Sequence, residues 1–301
     1  MPNRVLMTGA TGYIADQLLP TFRDRYQLVL VDVKAENRQG ERVDDVAIAD
    51  LIDTDRRHYA QLFDGVDAVV HLGYKRRSGE PLEHFYAEHQ NVTMAYNVLR
   101  CAYEAGVPRV AIASSNHAAD WYEHHLIHSR KMEMLDPYKL PLSDNFYGWA
   151  KASYEHLGFL FANGLGGFND ASGRQSHTGN LPSGRRMGVV MVRIGAPRDL
   201  DPNLYRNDPA NYKRDLGAYI SPRDLTQLFT KAIAAPSIDN PDGIPWQVVY
   251  GISNNTRAFW SLANAREVLG YEPQDDSEVI YANDIRELLM GPGTPGGRVG
   301  L

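Results

Sequence analysis

In the N-terminal half of the chain, four short and almost purely apolar segments, Arg4–Thr8, Gln27–Val31, Ala68–Leu72 and Val110–Ala113, alternate with longer stretches whose apolar residues recur at helical spacing. Strands that are apolar on both faces must be covered on both faces, and strands joined through helices pair in parallel. Such crossovers are right-handed, so the pattern specifies an α/β chain on a doubly wound parallel sheet. Further strands are expected at Val189–Ile194 and Trp246–Tyr250. Helices are expected at Tyr13–Arg25, Pro81–Ala105 (closed by Gly106 and Pro108), Tyr147–Asn163 and Pro222–Ala234. Large apolar residues nearly vanish from Gly164 to Gly188, which reads as a long exposed loop. The segment Pro197–Pro209 reads as irregular, and Gly291–Leu301 as a mobile tail. The sequence shows no internal repeat.

Composition narrows the possible functions. At 301 residues and 43% hydrophobic, the chain can bury a sizeable core. Its 31 basic and 37 acidic residues leave a net charge of −6 and are interleaved throughout, so no basic face is available for a nucleic acid partner. No run approaches the eighteen apolar residues of a membrane span. Met1-Pro2-Asn3-Arg4 leads directly into the first strand, without the apolar segment of a secretory signal. The single cysteine, Cys101, allows neither an intrachain disulfide nor a cysteine-based zinc cluster, and no metal site is expected. A reducing, cytoplasmic setting is the expectation.

Between the first strand and the first helix lies Thr8-Gly9-Ala10-Thr11-Gly12-Tyr13-Ile14-Ala15. Gly9 and Gly12 permit a tight turn and close approach of backbone to a pyrophosphate, and the helix N-terminus offers free N–H groups and the positive end of its dipole. Ala15 takes the place of a third glycine and is still small enough for close packing. Twenty residues after Gly12, the second strand ends at Asp32, where a carboxylate accepts the ribose hydroxyls of NAD and repels the 2′-phosphate of NADP. This is the Rossmann arrangement, and NAD is the expected cofactor.

Tyr147 and Lys151 open a later helix and share one of its faces. A phenol is a poor base at neutral pH, and a neighbouring ammonium is expected to favour the phenolate. The pair could then take a proton from an alcohol as hydride leaves for nicotinamide. From Arg4 to about Ser277 the chain resembles the extended short-chain dehydrogenase/reductase superfamily, which includes the sugar epimerases, dehydratases and uronate dehydrogenases. The resemblance implies an adenine contact at Asp50-Leu51, a turn beneath the cofactor at His71-Leu72-Gly73, and Asn91 in the helix backing the sheet. It also implies cofactor contacts from Ser114, Tyr147 and Lys151.

Closer similarity lies in Ala113-Ser114-Ser115-Asn116-His117, in Arg214-Asp215-Leu216-Gly217-Ala218-Tyr219-Ile220-Ser221 and in Val249–Arg257, continued by Leu269-Gly270-Tyr271-Glu272-Pro273. These segments resemble the uronate dehydrogenases and the archaeal-type NAD-dependent glucose-6-phosphate dehydrogenases, both of which oxidise a pyranose at C1. The resemblance implies that Ser115 aligns the reacting hydroxyl, Asn116 and His117 line the sugar pocket, and Arg214 binds an anionic end. The serine that follows Arg-Ile-Gly in uronate dehydrogenases is Ala196 here, so the anion could be carboxylate, phosphate or sulfonate. Lys75 and Arg76, with Arg77, form a basic loop that could clamp it, or could be a solvated surface. His124, His125 and His128 lack accompanying metal-ligand spacing and read as a solvated loop.

The expected protein is thus a homo-oligomeric, NAD-dependent sugar 1-dehydrogenase, taken as a dimer. Residues 1–195, returning at about 219–252, would bind NAD, and residues 196–301 would mainly bind substrate. A nucleotide-sugar epimerase or dehydratase and a non-catalytic sensor are the alternatives.

Overall fold

The computed structural model describes residues 2–164 and 185–289. Among them, strands β1 (Arg4–Thr8), β2 (Gln27–Asp32), β3 (Val46–Ile48), β4 (Ala68–His71), β5 (Arg109–Ser115), β6 (Gly188–Ile194) and β7 (Trp246–Gly251) form one sheet in the order β3-β2-β1-β4-β5-β6-β7. Every pairing is parallel. The helices are α1 (Tyr13–Arg25), α2 (His84–Glu104), α3 (Asp120–Tyr122), α4 (Phe146–Ala162), α5 (Pro202–Tyr205), α6 (Pro209–Ala218), α7 (Pro222–Ala234), α8 (Ala263–Leu269), α9 (Ser277–Ile280) and α10 (Ala282–Leu289).

Helices cover both faces of the sheet, as its apolar strands require. On one face α1 and α7 bury Leu18, Phe22, Leu228 and Phe229. On the other, α2 and α4 bury Val98, Leu99, Tyr154 and Phe161. Each such side chain contributes about 1.5–3 kcal/mol by leaving water. A third, smaller cluster of Leu200, Tyr205, Tyr212, Leu216, Tyr219 and Ile285 binds α5, α6 and α10 together.

The expected strands and long helices form, with informative differences. The strand at β3 was not expected, because three residues carry no readable period. β5 runs two residues beyond the expected Ala113, so Ser114 and Ser115 end a strand and are held in register by β6. α2 begins at His84, since residues 81–83 form a turn. The Pro197–Pro209 segment contains α5, whose first turn is capped by the Asp201 side chain. Most of the Gly164–Gly188 segment and all of Gly291–Leu301 lie outside the described residues; of the former, Met187 is buried in the core and Gly188 begins β6.

One ion pair runs through this core. Arg193 of β6 is 1% exposed and donates from Nη2 to Glu155 Oε2 of α4 at 2.7 Å and from Nε to Oε1 at 2.8 Å. Its Nη1 donates to the Tyr250 hydroxyl of β7 at 3.0 Å, and Ser114 Oγ of β5 donates to Glu155 Oε1 at 2.9 Å. Four elements are therefore tied by one buried carboxylate and one guanidinium. Removing a single partner strands the other charge, so Glu155→Ala is expected to cost about 3–5 kcal/mol, read as a fall in the urea unfolding midpoint at unchanged slope.

Candidate active site

In a parallel sheet all strand carboxyl ends share one edge, and at β1 the order reverses, with β2 on one side and β4 on the other. A crevice opens at such a point. Gly9 leaves β1 with φ +67°, and a Cβ there would lie 2.6 Å from Gly73 N and 2.7 Å from Leu72 C, so only glycine lets the first turn collapse onto the end of β4. α1 then starts at Gly12 without a side-chain cap, leaving its first N–H groups available to an anion.

A cleft of about 980 Å³ lies over this turn, lined by Gly9, Thr11, Gly12, Tyr13 and Ile14 at its centre and by Asp32, Asp50 and Leu51 at one end. Asp32 Oδ2 accepts from Thr11 N at 3.0 Å and Thr11 Oγ1 at 2.8 Å, and its Oδ1 accepts from Val33 N at 2.7 Å. These bonds fix the carboxylate at the mouth, with Lys34 and Arg38 also on the wall. Leu72, Gly73, Ser114, Ser115, His117, Tyr147 and Lys151 line the other end. The glycine cradle, the open helix terminus and the carboxylate at the far end fit a dinucleotide, which would lie from Asp32 to Tyr147.

The catalytic end is organised by the start of α4. Asn145 caps the helix, its Oδ1 accepting from Gly148 N at 2.9 Å. A Cβ at Gly148 would collide with the His117 carbonyl oxygen and with Ser143 Oγ, so this glycine lets the helix close on the segment after β5. Lys151 Nζ donates to Ala113 O at 2.9 Å and stands 5.6 Å from the Tyr147 ring centre. Burial lowers the Lys151 ammonium to about 8, against the pull of Glu88 and Glu155. Burial also raises the Tyr147 phenol above its ordinary value, while the Ser115 hydroxyl and Arg77 draw it down. Loss of solvent outweighs the influences that lower this phenol, and the cation among those is Arg77 rather than the expected Lys151.

A second cavity of about 530 Å³ adjoins the cleft and shares Tyr74, Arg76, His117 and Tyr147 with it. Arg77, Asp120, His124 and Asn145 complete its wall. The basic loop enters here. Asn91, expected as a cofactor contact, lies outside the cleft lining and clamps this loop instead. Its Oδ1 accepts from Lys75 N at 2.8 Å and its Nδ2 donates to Lys75 O at 2.9 Å. Arg77 lies 5.4 Å over the Tyr147 ring and 3.7 Å from Glu88, which is wholly buried and accepts from the Tyr74 hydroxyl at 2.7 Å. Lys75 and Arg76 line the cleft, and Arg76 forms no ion pair among the described residues.

Arg214 is placed differently from the expectation. Its Nε and Nη2 donate to Glu123 at 2.7 and 3.0 Å, Nη1 donates to Asp215 Oδ1 at 3.0 Å, and its guanidinium lies 5.3 Å over the Trp260 ring. With the Asn116 amide turned to satisfy both ends, Asn116 donates to Ile194 O at 3.0 Å and accepts from Arg214 Nη2 at 2.5 Å. Arg214 and Asn116 line neither cavity; they brace the wall from behind. Among the described residues of 196–289, only Pro197 and Arg198 reach the cleft lining.

The histidine cluster is helical rather than a loop, and His124 and His125 are solvent-exposed as expected while His128 is largely covered. His128 is buried against Glu123 at 3.2 Å, His125 stacks on Trp121, and His124 meets Asp144 at 2.6 Å. Burial pushes Glu123 up, but hydrogen bonds from His128 and Arg214 outweigh it and hold the carboxyl at about 2. Asp120, Glu123 and His124 bring ligand-type atoms within 4.8 Å of one another, yet each is already bound to a different partner. Sequence reasoning missed Asp120, Asn145, Gly148 and Glu88. The first two had a readable signal, an acid one turn after His117 and a capping residue three before Gly148; a lone acid within α2 had none.

Asp32 gives a direct test of the cleft. NAD is expected to bind more tightly than NADP by calorimetry, and Asp32→Ala to narrow that gap chiefly by weakening NAD.

The NAD dependent epimerase/dehydratase family model matches residues 5–176. Among curated relatives, the NAD-dependent glucose-6-phosphate dehydrogenase of Haloferax volcanii is 32% identical over 290 residues, covering 92% of this chain and 95% of its own length. A uronate dehydrogenase of Pseudomonas syringae pv. tomato is 28% identical, covering 93% of this chain and 85% of its own. Among solved structures, a mutated uronate dehydrogenase superposes with a TM-score of 0.70 at 26% identity, covering 98% of this chain and 89% of its own. With a cleft, a sheet order and a sequence that all agree, this chain belongs to the NAD dependent epimerase/dehydratase family.

Proposed function

We propose that this chain oxidises the C1 hydroxyl of an anionic hexose to the lactone, with NAD as the hydride acceptor. The observation that carries the reading is the meeting of Tyr147, Lys151 and Ser115 where the dinucleotide cleft opens into the second cavity. The kinship with sugar 1-dehydrogenases supports it.

NAD bound in the cleft supplies the hydride acceptor. The protein's own part is to hold and move the proton. Ser115, at the end of β5, would donate to the C1 oxygen and keep it beside Tyr147, whose phenolate takes the hydroxyl proton. Lys151 would hold the cofactor ribose, and the positive charge of the bound nicotinamide would offset the burial that raises the phenol. The hexose would occupy the second cavity with its anion at Arg76 and Arg77, and residues 196–301 would complete the sugar-binding region beside the NAD-binding residues 1–195. Arg214 would act at one remove, through Asn116 and Glu123.

A homodimer is the assembly we favour. Leu82 and Tyr86 are 79% and 65% exposed beside the aromatic group of Phe85, Phe146 and Trp149, an apolar surface shared by α2 and α4. Among the described residues no helix is long and apolar enough to cross a membrane. A cytoplasmic setting fits the one cysteine, which is buried.

A panel of a hexuronate, a hexose 6-phosphate and a 6-sulfonated hexose with NAD, followed by NADH absorbance, tests the reading. Sustained NADH formation from one of them is expected, and isomerised sugar without net NADH would overturn it. Tyr147→Phe is expected to lower kcat by about two orders of magnitude or more with NAD affinity nearly kept. On the best sugar, Arg76→Ala should raise KM by roughly tenfold to a hundredfold with little change in kcat, as loss of one charge-assisted bond of about 1.5–3 kcal/mol implies. Arg214→Ala should instead lower the melting temperature, because Glu123 is left buried without its counter-charge.

A further inference from the structure

Each turnover of the reaction proposed above leaves one proton on Tyr147, a half-buried side chain where the two cavities meet, and that proton must leave before the next substrate can react. Lys151 offers no evident exit: it is 4% exposed, and its Nζ is bound to the Ala113 carbonyl. On the other side of Tyr147 stands His117, whose ring is in edge contact with the phenol ring at a centroid separation of 5.5 Å. The His117 side chain is 43% exposed and lines both cavities, so one residue meets both the Tyr147 ring and the open side of the site.

The imidazole is held from behind. Its Nδ1 lies 2.6 Å from Oδ2 of Asp120, a side chain 1% exposed. The same Oδ2 accepts from Asn145 Nδ2 at 2.9 Å, and Asn145 is the cap of the helix that carries Tyr147. A carboxylate opposite Nδ1 makes that nitrogen the donor, so the neutral ring keeps its lone pair on Nε2. His117 is further fixed by its backbone, which packs into the space left by Gly148. Base, imidazole and carboxylate are therefore set by one helix start.

We propose that His117 carries the proton from Tyr147 to solvent, and that Asp120 is the positioning residue that keeps its Nε2 free to accept it. The inference rests on the dehydrogenase reading. In that reaction the C1–H bond breaks to give the hydride taken by NAD, and the O–H proton passes to the Tyr147 phenolate. The Tyr147 hydroxyl then releases the proton through one water to His117 Nε2, restoring the phenolate. The imidazolium, balanced by Asp120, gives the Nε2 proton to bulk buffer, so one hydride and one proton leave the sugar and both are accounted for. Besides Asp120, the charged or titratable groups facing this ring are Tyr147 of α4, Tyr74, Arg76 and Arg77 of the segment after β4, and His124 of the following helical turn.

The test is rescue by external buffer. In a dilute, weakly basic buffer, His117→Ala is expected to lower kcat by about tenfold or more, and added imidazole should restore it several-fold while leaving the wild type unchanged. Asp120→Asn should show a smaller loss and a shifted pH profile. A His117→Ala protein that keeps wild-type kcat, or loses it without response to imidazole while still binding NAD, overturns the relay. Ring-nitrogen NMR of the wild type without substrate is an independent readout that needs no variant to fold: the neutral His117 ring should be protonated on Nδ1, and protonation on Nε2 would overturn the proposal. If the wild type makes no NADH from any anionic hexose, the functional reading itself falls and the relay with it; NADH formation with no buffer rescue overturns the relay alone.

Discussion

The pairing of β1 with β4 is the constraint on which the site depends. Leu6↔Val69 and Thr8↔His71 bring two crossover loops to the same point of the edge, and the missing side chain of Gly9 lets them touch. Were they separated by even one methyl group, the first turn could not lie flat, the start of α1 would shift, and Asp32 would lose the Thr11 contacts that aim it. The fold thus builds the cofactor cleft from backbone first and recruits side chains second. This suits a ligand whose pyrophosphate is recognised by N–H groups rather than by particular residues.

Charge is handled differently at the two ends of the catalytic wall. Behind it, Glu155 with Arg193 and Glu123 with Arg214 are closed pairs, buried and satisfied, and they serve as braces. In front of it, the cations outnumber the anions: Lys151, Arg76 and Arg77 face the cavities, against Asp120 on the wall of the second and the buried Glu88 behind Arg77, with His71 beneath. Burial and the Lys151 charge push the His71 imidazole down to about 3, so it adds no positive charge at neutral pH, and its Nδ1 is bound to Thr8 Oγ1 at 2.6 Å. The result is an excess of positive charge on the side from which an anionic sugar would enter.

The strands, the glycine turn, Asp32 and the Tyr147–Lys151 helix were legible because each rests on a local rule of spacing or capping. The placement of Arg214 was not, since the residue that captures it, Glu123, lies ninety-one positions earlier and meets it only through the fold. Asn91 illustrates the same limit: its position in a helix was readable, but its role as a clamp depends on a loop sixteen residues away. Of the histidines, His124 and His125 are exposed as polarity suggested, and only His128 was misread, because its tertiary neighbours Glu123 and Phe259 cover it. Gly148 lacked a signal altogether, as its need comes from the His117 carbonyl pressed against it.

The two bonds from Asn91 to the backbone of Lys75 separate two kinds of information in one loop. Its path is set by an interior amide that does not depend on the side chains at positions 75 to 77. The side chain at position 76 can therefore be exchanged at little cost to the fold, while changing what the second cavity attracts; Arg77, over the Tyr147 ring and beside Glu88, is tied to the chemistry as well. A lineage carrying this clamp holds a fixed reaction and an adjustable choice of sugar, and divergence among its members should fall first on the residue at 76.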